Sequence, residues 1–285
     1  MIKMKQLFIV LTGTLCIVSC AIKKEIYFHG KTQPEKEYKY QYIDNYDVSI
    51  VFTGPSEALQ KLKTTSLAAR HSANINYIES MGKLEKDSII HSTTTFGSMT
   101  VKSVLNGKTF EEQDPFSGAI VKGYYNKKDE FKVDTLISDA DKIKKKEFIV
   151  SMEKHAKSDT LPTKYMKIGD IVEGTEHTKI ASSGGSTTIS IIIQSSYKLK
   201  KIKRDFAVFD IQQSAILDKS LYQPDIELNG KGKGKYIFDL NNSCFTKKES
   251  VMNILVNRKA GILNMNQVYN HKSIMDLQIK DLNNN

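Results

Sequence analysis

Serine and lysine occur three times at Ser-x-x-Lys, the spacing of an acyl-transfer nucleophile and its base. On a helix this spacing places the lysine ammonium beside the serine hydroxyl. The pairs are Ser80/Lys83, Ser151/Lys154 and Ser195/Lys198. Two of the three lie in segments that we predict to be strands, where residues i and i+3 point to opposite faces. No Lys-Thr-Gly or Ser-Asp-Asn motif accompanies them. We therefore predict no catalytic residue and a protein that is not an enzyme.

Histidine and glycine patterns give no cofactor site either. The six histidines are scattered and show no His-x-His or His-Glu-x-x-His spacing, so we predict no metal. Glu176 and His177 are an adjacent acid and base, but neighbours on a strand face opposite ways. The run 230–234 (Gly-Lys-Gly-Lys-Gly) lacks the third glycine of a dinucleotide fingerprint. This run is typical of a flexible segment that leads into a hairpin. The alternative is an anion site formed by its backbone N–H groups.

The first 19 residues have the pattern of a secretory signal peptide. Lys3 and Lys5 precede an apolar stretch from Leu7 to Val18. A helix of that length covers roughly 18 Å, which is shorter than the ~30 Å hydrocarbon core of a bilayer. A basic start, a short apolar segment and a small residue near its end predict cleavage and export.

The end of this segment carries the cysteine chemistry. Ile17, Val18 and Ser19 precede Cys20, and this tetrapeptide resembles the lipobox of bacterial lipoproteins, in which the cysteine receives the acyl chains. The resemblance implies that Cys20 is lipidated and becomes the mature N-terminus. Several acyl chains would anchor the protein durably to a membrane. Cys16 fails the pattern because the bulky Leu15 precedes it.

The remaining composition favours an envelope protein that does not bind nucleic acid. Removal of residues 1–19 lowers the net charge from +10 to about +8, and the basic residues are almost all lysines. Nucleic-acid sites favour arginine, so we expect no nucleic-acid partner. Cys244 has no partner for an intrachain disulfide once Cys20 is acylated, and we expect a buried thiol. Residues 21–25 contain a single acid. We predict a lipid-anchored protein of the outer membrane or cell envelope, facing the periplasm.

Beyond the anchor, the sequence predicts one large β-rich domain. Residues 20–37 are polar and predict a lipidated tether, followed by a domain over 38–285. A Leu-Asn-Gly-Lys tetrapeptide occurs at 105–108 and again at 228–231. This repeat leaves open the alternative that the domain consists of two similar halves, 38–160 and 165–285.

A period of two dominates this domain. In residues 187–199 apolar side chains alternate with polar ones, which is typical of an antiparallel sheet with one buried face. Asn106-Gly107 and Asn229-Gly230 predict hairpin turns. Helical spacing appears from Pro55 to about Arg70 and from Asp139 to Lys157. The predicted fold class is mainly β (β-rich α+β): a large curved antiparallel sheet or open half-barrel with about two helices packed on it.

The second half of the chain carries a resemblance. From Tyr197 it runs YKLKKIKRDFAVFDI, and Gly232, Gly234, Phe238 and Asp239 follow in a G-x-G-x-x-x-F-D pattern. These segments resemble a group of uncharacterised lipoproteins of the Bacteroidota type. The resemblance covers about residues 165–260 and implies a curved sheet similar to the half-barrels of LolA-type carriers. It implies no activity.

Two functions from different classes remain open. The first is a non-catalytic binding module, whose sheet encloses a lipid or other hydrophobic ligand in a groove. The candidate lining residues are Tyr38, Tyr40, Ile189, Ile191, Ile193, Tyr197, Phe206 and Phe238. The same stripe would also arise if these residues formed a filled core. The second function is a structural or interaction lipoprotein that binds an envelope protein partner.

Overall fold

One antiparallel sheet organises the chain. The computed structural model describes residues 25–28, 32–86, 88–155, 164–181, 188–220 and 225–282, and the predicted lipidation site at Cys20 and the predicted lipobox lie outside these ranges. The helices are α1 (Ser56–Gln60) and α2 (Lys142–His155). The strands are β1 (Ile26–Phe28), β2 (Lys36–Thr53), β3 (Ser66–Leu84), β4 (Ile90–Phe96), β5 (Thr100–Leu105), β6 (Lys108–Gln113), β7 (Ile120–Tyr125), β8 (Phe131–Ile137), β9 (Lys164–Met166), β10 (Ile171–Ala181), β11 (Thr188–Lys203), β12 (Phe206–Leu217), β13 (Ile226–Asp239), β14 (Cys244–Ala260) and β15 (Leu263–Asp281).

The main sheet is open, with β10 and β8 at its two ends. Its order is β10-β11-β12-β13-β14-β15-β2-β3-β4-β7-β8, and the β5–β6 hairpin branches from β3. The first and last long strands pair at its centre, from Lys36 opposite Asp281 to Thr53 opposite Asn264. This architecture confirms the predicted fold class: a mainly β protein with a large antiparallel sheet and two helices.

Buried side chains lie on one face of this sheet. Side chains from β13 to β8 line a common cavity, although seven strand spacings of ~4.8 Å would separate these strands by about 34 Å on a flat sheet. The sheet must therefore curve around the cavity, and we call the cavity side the inner face.

A small ribbon covers one end of the inner face. Strand β1 pairs with β9, and Phe28 and Met166 are fully buried by this packing. The Phe28 ring meets those of Phe209 and Phe238 edge-on, each at 5.4 Å. The sequence predicted a tether over residues 20–37, but residues 26–28 are fixed in the ribbon.

The first predicted helix is mostly wrong. Helix α1 has five residues, and β3 begins at Ser66, where the prediction still expected helix as far as Arg70. Leu59 and Leu62 give helical spacing for a single turn only, and Ser66 to Arg70 instead pair with β2 in the sheet. The second helix is confirmed as α2. Asp141 Oδ1 caps it by accepting the N–H groups of Ile143 and Lys144, both at 2.9 Å.

The two Asn-Gly predictions have opposite outcomes. Asn106 and Gly107 form the β5–β6 turn with φ angles of 48° and 81°, as a type I′ turn requires. Asn229 and Gly230 lie inside β13 and pair on both sides with β12 and β14. Gly230 has a packing role instead, because a Cβ there would lie 2.7 Å from Ala215 Cβ. The same two-sided pairing occupies the backbone along Gly230–Gly234. The predicted hairpin entry is therefore wrong, and the backbone N–H groups that the alternative, an anion site, would need are already paired.

Candidate ligand-binding cavity

A cavity of about 600 Å³ lies between the inner face of the sheet and α2. This volume falls within the ~300–1,000 Å³ of small-molecule sites. The lining is mainly aromatic and aliphatic, with a few polar groups. The residues are Thr32, Tyr38, Tyr40, Tyr42, Ile75, Tyr77, Glu79, Met81, Thr94, Phe96, Tyr125, Asp129, Phe131, Phe148, Ser151, Met152, Phe238, Ser243, Cys244, Phe245, Lys248, Met275 and Leu277.

A stack of tyrosines forms the floor of the cavity. Alternation along β2 places Tyr40 and Tyr42 on the inner face, and Tyr77 of β3 pairs directly with Tyr40. The Tyr77 ring lies 4.5 Å from that of Tyr40 and 6.0 Å from that of Tyr42. Burial raises the pKa of Tyr40 and Tyr77 well above the ordinary value. These phenols are therefore neutral at physiological pH and present aromatic surface to the cavity.

A buried carboxyl lies beside this stack. Glu79 follows Tyr77 on the same face of β3, and only 8% of it is exposed. The hydroxyl of Ser92 donates a hydrogen bond to Glu79 Oε1 at 2.9 Å, and the Tyr125 hydroxyl donates to the same oxygen at 3.1 Å. Burial raises the pKa of Glu79 above its ordinary value of 4.5, against the lowering effect of these two bonds. The carboxyl is a buried polar group among the aromatic side chains at this end of the cavity.

Helix α2 forms one wall. Phe148 stacks on Phe116 at 4.0 Å and meets Phe96 edge-on at 5.5 Å. Glu153 ties the helix to the edge of the sheet: its Oε1 accepts the Val133 N–H at 3.1 Å, and its Oε2 accepts a bond from Lys132 at 3.2 Å. The wall is thus held by aromatic packing and one carboxylate.

The opposite wall comes from β13 and β14. The rings of Phe238 and Phe245 meet edge-on at 5.3 Å, and Lys248 Nζ lies 5.1 Å from the centre of the Phe245 ring. Cys244 is half-buried here, and burial raises the pKa of its thiol to about 12. The thiol is therefore protonated and contributes packing rather than nucleophilic chemistry.

The structure divides the predicted groove residues into three groups. Tyr38, Tyr40 and Phe238 line the cavity, and Tyr197 packs beside it in the same apolar cluster as Phe28. Ile189, Ile191 and Ile193 belong to a separate cluster on the inner face, which side chains of neighbouring strands fill. Phe206 is 42% exposed and lies outside the apolar clusters. It begins β12 on the outer face, where it alternates with the buried Ala207, so it cannot line this cavity.

Sequence reasoning missed the residues that define the polar end and the wall. Tyr77 and Glu79 continue an alternation along β3, whose first residues, up to Arg70, have helical spacing in the sequence. Tyr125 is the last residue of β7, and nothing in the sequence indicated that its hydroxyl would reach Glu79. Phe148 lies in a segment that the sequence predicted to be helical, but nothing in the sequence indicated which aromatic rings it would meet.

The other sequence candidates do not assemble into a second site. Ser195 is buried and accepts a bond from Gln213 Nε2 at 3.1 Å, while Lys198 is exposed on the opposite face. His177 Nδ1 lies 3.2 Å from Asp218 Oδ2, not beside a nucleophile. Within the described ranges, no three histidine, cysteine or acidic side chains come together as metal ligands would.

The fold and cavity define a mainly β protein with an open sheet and a partly open pocket lined mainly by aromatic side chains. No described helix has the length and apolar character needed to cross a membrane. No family model matches the chain, and no curated protein matches it. Among solved structures, the chain is similar to one titled for lipid–protein interactions in lipovitellin, with 11% identity and a TM-score of 0.47. The match covers 88% of this chain and 26% of that one, so this chain spans about a quarter of its length. At this score the likeness supports no conclusion about function.

Proposed function

We propose that the protein is a non-catalytic binding module for a lipid or another hydrophobic ligand. The observation that carries this proposal is the cavity of about 600 Å³, lined by ten aromatic rings and by aliphatic and thioether side chains. Apolar ligand surface gains roughly 25 cal/mol per Å² on leaving water, and the few polar groups fix the orientation of the ligand.

We further propose that the module is anchored to the cell envelope through acyl chains on Cys20. The lipobox supports the anchor, and the ribbon supports its position, because β1 begins only six residues after Cys20. Tyr27 and Tyr165 are exposed on this ribbon with their rings 4.7 Å apart, next to the exposed Lys164. Tyrosine and lysine together are typical of a surface that meets the headgroup region of a membrane.

Native mass spectrometry tests the binding proposal. The chain 21–285, without its lipid, is purified and measured intact, and the bound material is then extracted and identified. A stoichiometric apolar molecule, displaced in a variant with Tyr77→Trp that fills the cavity, supports a carrier or sensor. A clean unliganded mass, together with no binding of added lipids, contradicts it.

A protein partner is the second candidate function. The β5–β6 hairpin favours it, because among the described strands β6 pairs only with β5, and all six of its residues are exposed, including Phe110. An unpaired strand edge is a template for another strand. A photo-crosslinker at Phe110 that captures one defined envelope protein, when a crosslinker at Lys61 does not, supports this function.

A further inference from the structure

The charges in the cavity are opposite in sign to those of the whole protein. The chain carries a net charge of +10, whereas the cavity lining contains two carboxyl groups, Glu79 and Asp129, against a single lysine, Lys248. Asp129 already receives a backbone bond, with both of its oxygens 3.3 Å from the Thr32 nitrogen. Lys248 is held on the far wall, over the Tyr236 and Phe245 rings. The remaining acid, Glu79, is the buried one.

The two oxygens of the Glu79 carboxyl differ in their hydrogen bonds. The hydroxyls of Ser92 and Tyr125 both donate to Oε1, and neither donates to Oε2. Within the described part of the chain, no lysine, arginine or histidine pairs with this carboxyl, and no cation contributes to its pKa shift. A carboxylate buried in this way is costly unless a partner compensates its charge. A bound group that donates a hydrogen bond to Oε2 would supply that partner.

The aromatic walls favour the same kind of group. Cations are attracted to the faces of tyrosine and phenylalanine rings, and the tyrosine stack directly adjoins Glu79 along β3. A carboxylate or phosphate head has no ammonium proton to donate to Oε2, and it would be repelled by the ionised form of Glu79. An uncharged alcohol would gain one hydrogen bond without compensating the charge.

We infer that the ligand is an amphiphile with a primary amine head, bound with its ammonium group at Glu79 and its apolar chain along the aromatic cavity. This inference rests on the proposed function and deepens it, because it names the class of ligand. The ammonium donates a charge-assisted hydrogen bond to Glu79, which is about twice as strong as a bond between neutral groups. The chain of the ligand packs between the tyrosine stack and Phe148.

Photolabelling of the full chain in membrane vesicles tests this inference. Three ten-carbon probes carry the same diazirine at the chain end and differ only in the head: an amine, an alcohol and a carboxylic acid. Peptides from β3 and α2 are then quantified by mass spectrometry. The variants are Glu79→Gln, which retains the oxygen that Ser92 and Tyr125 bind, and Glu249→Gln, which makes the same charge change at an exposed ion pair with Lys247.

The expected result is about tenfold stronger labelling by the amine than by the acid in the wild-type protein, corresponding to ~1.4 kcal/mol. Glu79→Gln should abolish this preference, and Glu249→Gln should retain it. Unchanged labelling of Glu79→Gln by the alcohol shows that the variant cavity is intact. Equal labelling by amine and acid, or an amine preference that survives in Glu79→Gln, overturns the inference and leaves the proposed function standing. Failure of all three probes to label β3 and α2 overturns both.

Discussion

Tyr125 donates a hydrogen bond to Glu79 across a strand that lies between them. Glu79 is on β3 and Tyr125 on β7, with β4 between the two, and the oxygens lie 3.1 Å apart. The bond bridges two strand spacings on the inner face, and it fixes the polar end of the cavity to three strands at once. The polar end of the cavity is therefore built from side chains of β3, β4 and β7.

The first prediction concerns pH and Glu79. Its pKa in the folded protein is raised above the ordinary value of 4.5. At any pH between 4.5 and this raised pKa, the folded state therefore holds more protons than the unfolded state. The contribution of Glu79 to stability must then fall as pH rises through that window. We expect Glu79→Gln to gain free energy of unfolding relative to the wild type as pH increases from 4 to 8, measured by urea denaturation. A difference between the two proteins that stays constant with pH would contradict the raised pKa.

The second prediction concerns the α2 wall. Phe148→Ala removes the stacking on Phe116 at 4.0 Å and opens the cavity. Because Phe148 is only half-buried, we expect a loss of about 2 kcal/mol, below the ~3–5 kcal/mol of a fully buried ring, and faster amide exchange in α2. Val150→Ala is the control, since Val150 is exposed on the same helix. Equal effects of the two substitutions would mean that Phe148 does not hold the helix.

The third prediction concerns Gly230. A methyl group there would lie 2.7 Å from Ala215 Cβ and 3.0 Å from Ile254 Cγ1. We expect Gly230→Ala to lower the free energy of unfolding by about 1–3 kcal/mol through overpacking. The double variant with Ala215→Gly frees that space, so it should recover part of the loss in a double-mutant cycle. Simple additivity of the two effects would show that the residues do not compete for the same space.

The fourth prediction concerns the thiol of Cys244. Burial raises its pKa from 9.0 to about 12, which lowers the thiolate fraction at pH 8 by roughly 10³-fold. We expect the folded chain 21–285 to react with a disulfide reagent about a thousandfold more slowly than the same chain in guanidinium. Cys244 is the only cysteine in that chain. Rapid reaction of the folded protein would place the thiol in a more exposed position.

The sequence predicted the class of fold better than the site. The period-two alternation of β11 and β15 arises because every second side chain lies on the buried face. Such a pattern can be recognised from the local sequence alone. The partners of each residue depend on register, and register joins segments more than 200 residues apart, as Tyr40 and Leu277 show. The sequence does not distinguish Glu79 from the other acidic residues. Its burial results from packing beside β4 and β7 and from the curvature of the sheet. The hairpin turn predicted at Asn229-Gly230 is wrong, because the sequence does not distinguish a glycine required for close packing from a glycine required for a turn.

The pairing of β2 with β15 has a consequence for how the protein reaches its native state. These strands form the centre of the sheet, yet 209 residues separate the end of β2 from the start of β15. Closing so long a loop is entropically costly and slows folding. Until the last strand emerges, β2 lacks one of its two neighbours and offers an open edge that can aggregate. A chain with this topology cannot complete its sheet segment by segment, because β2 gains its second neighbour only when β15 is available.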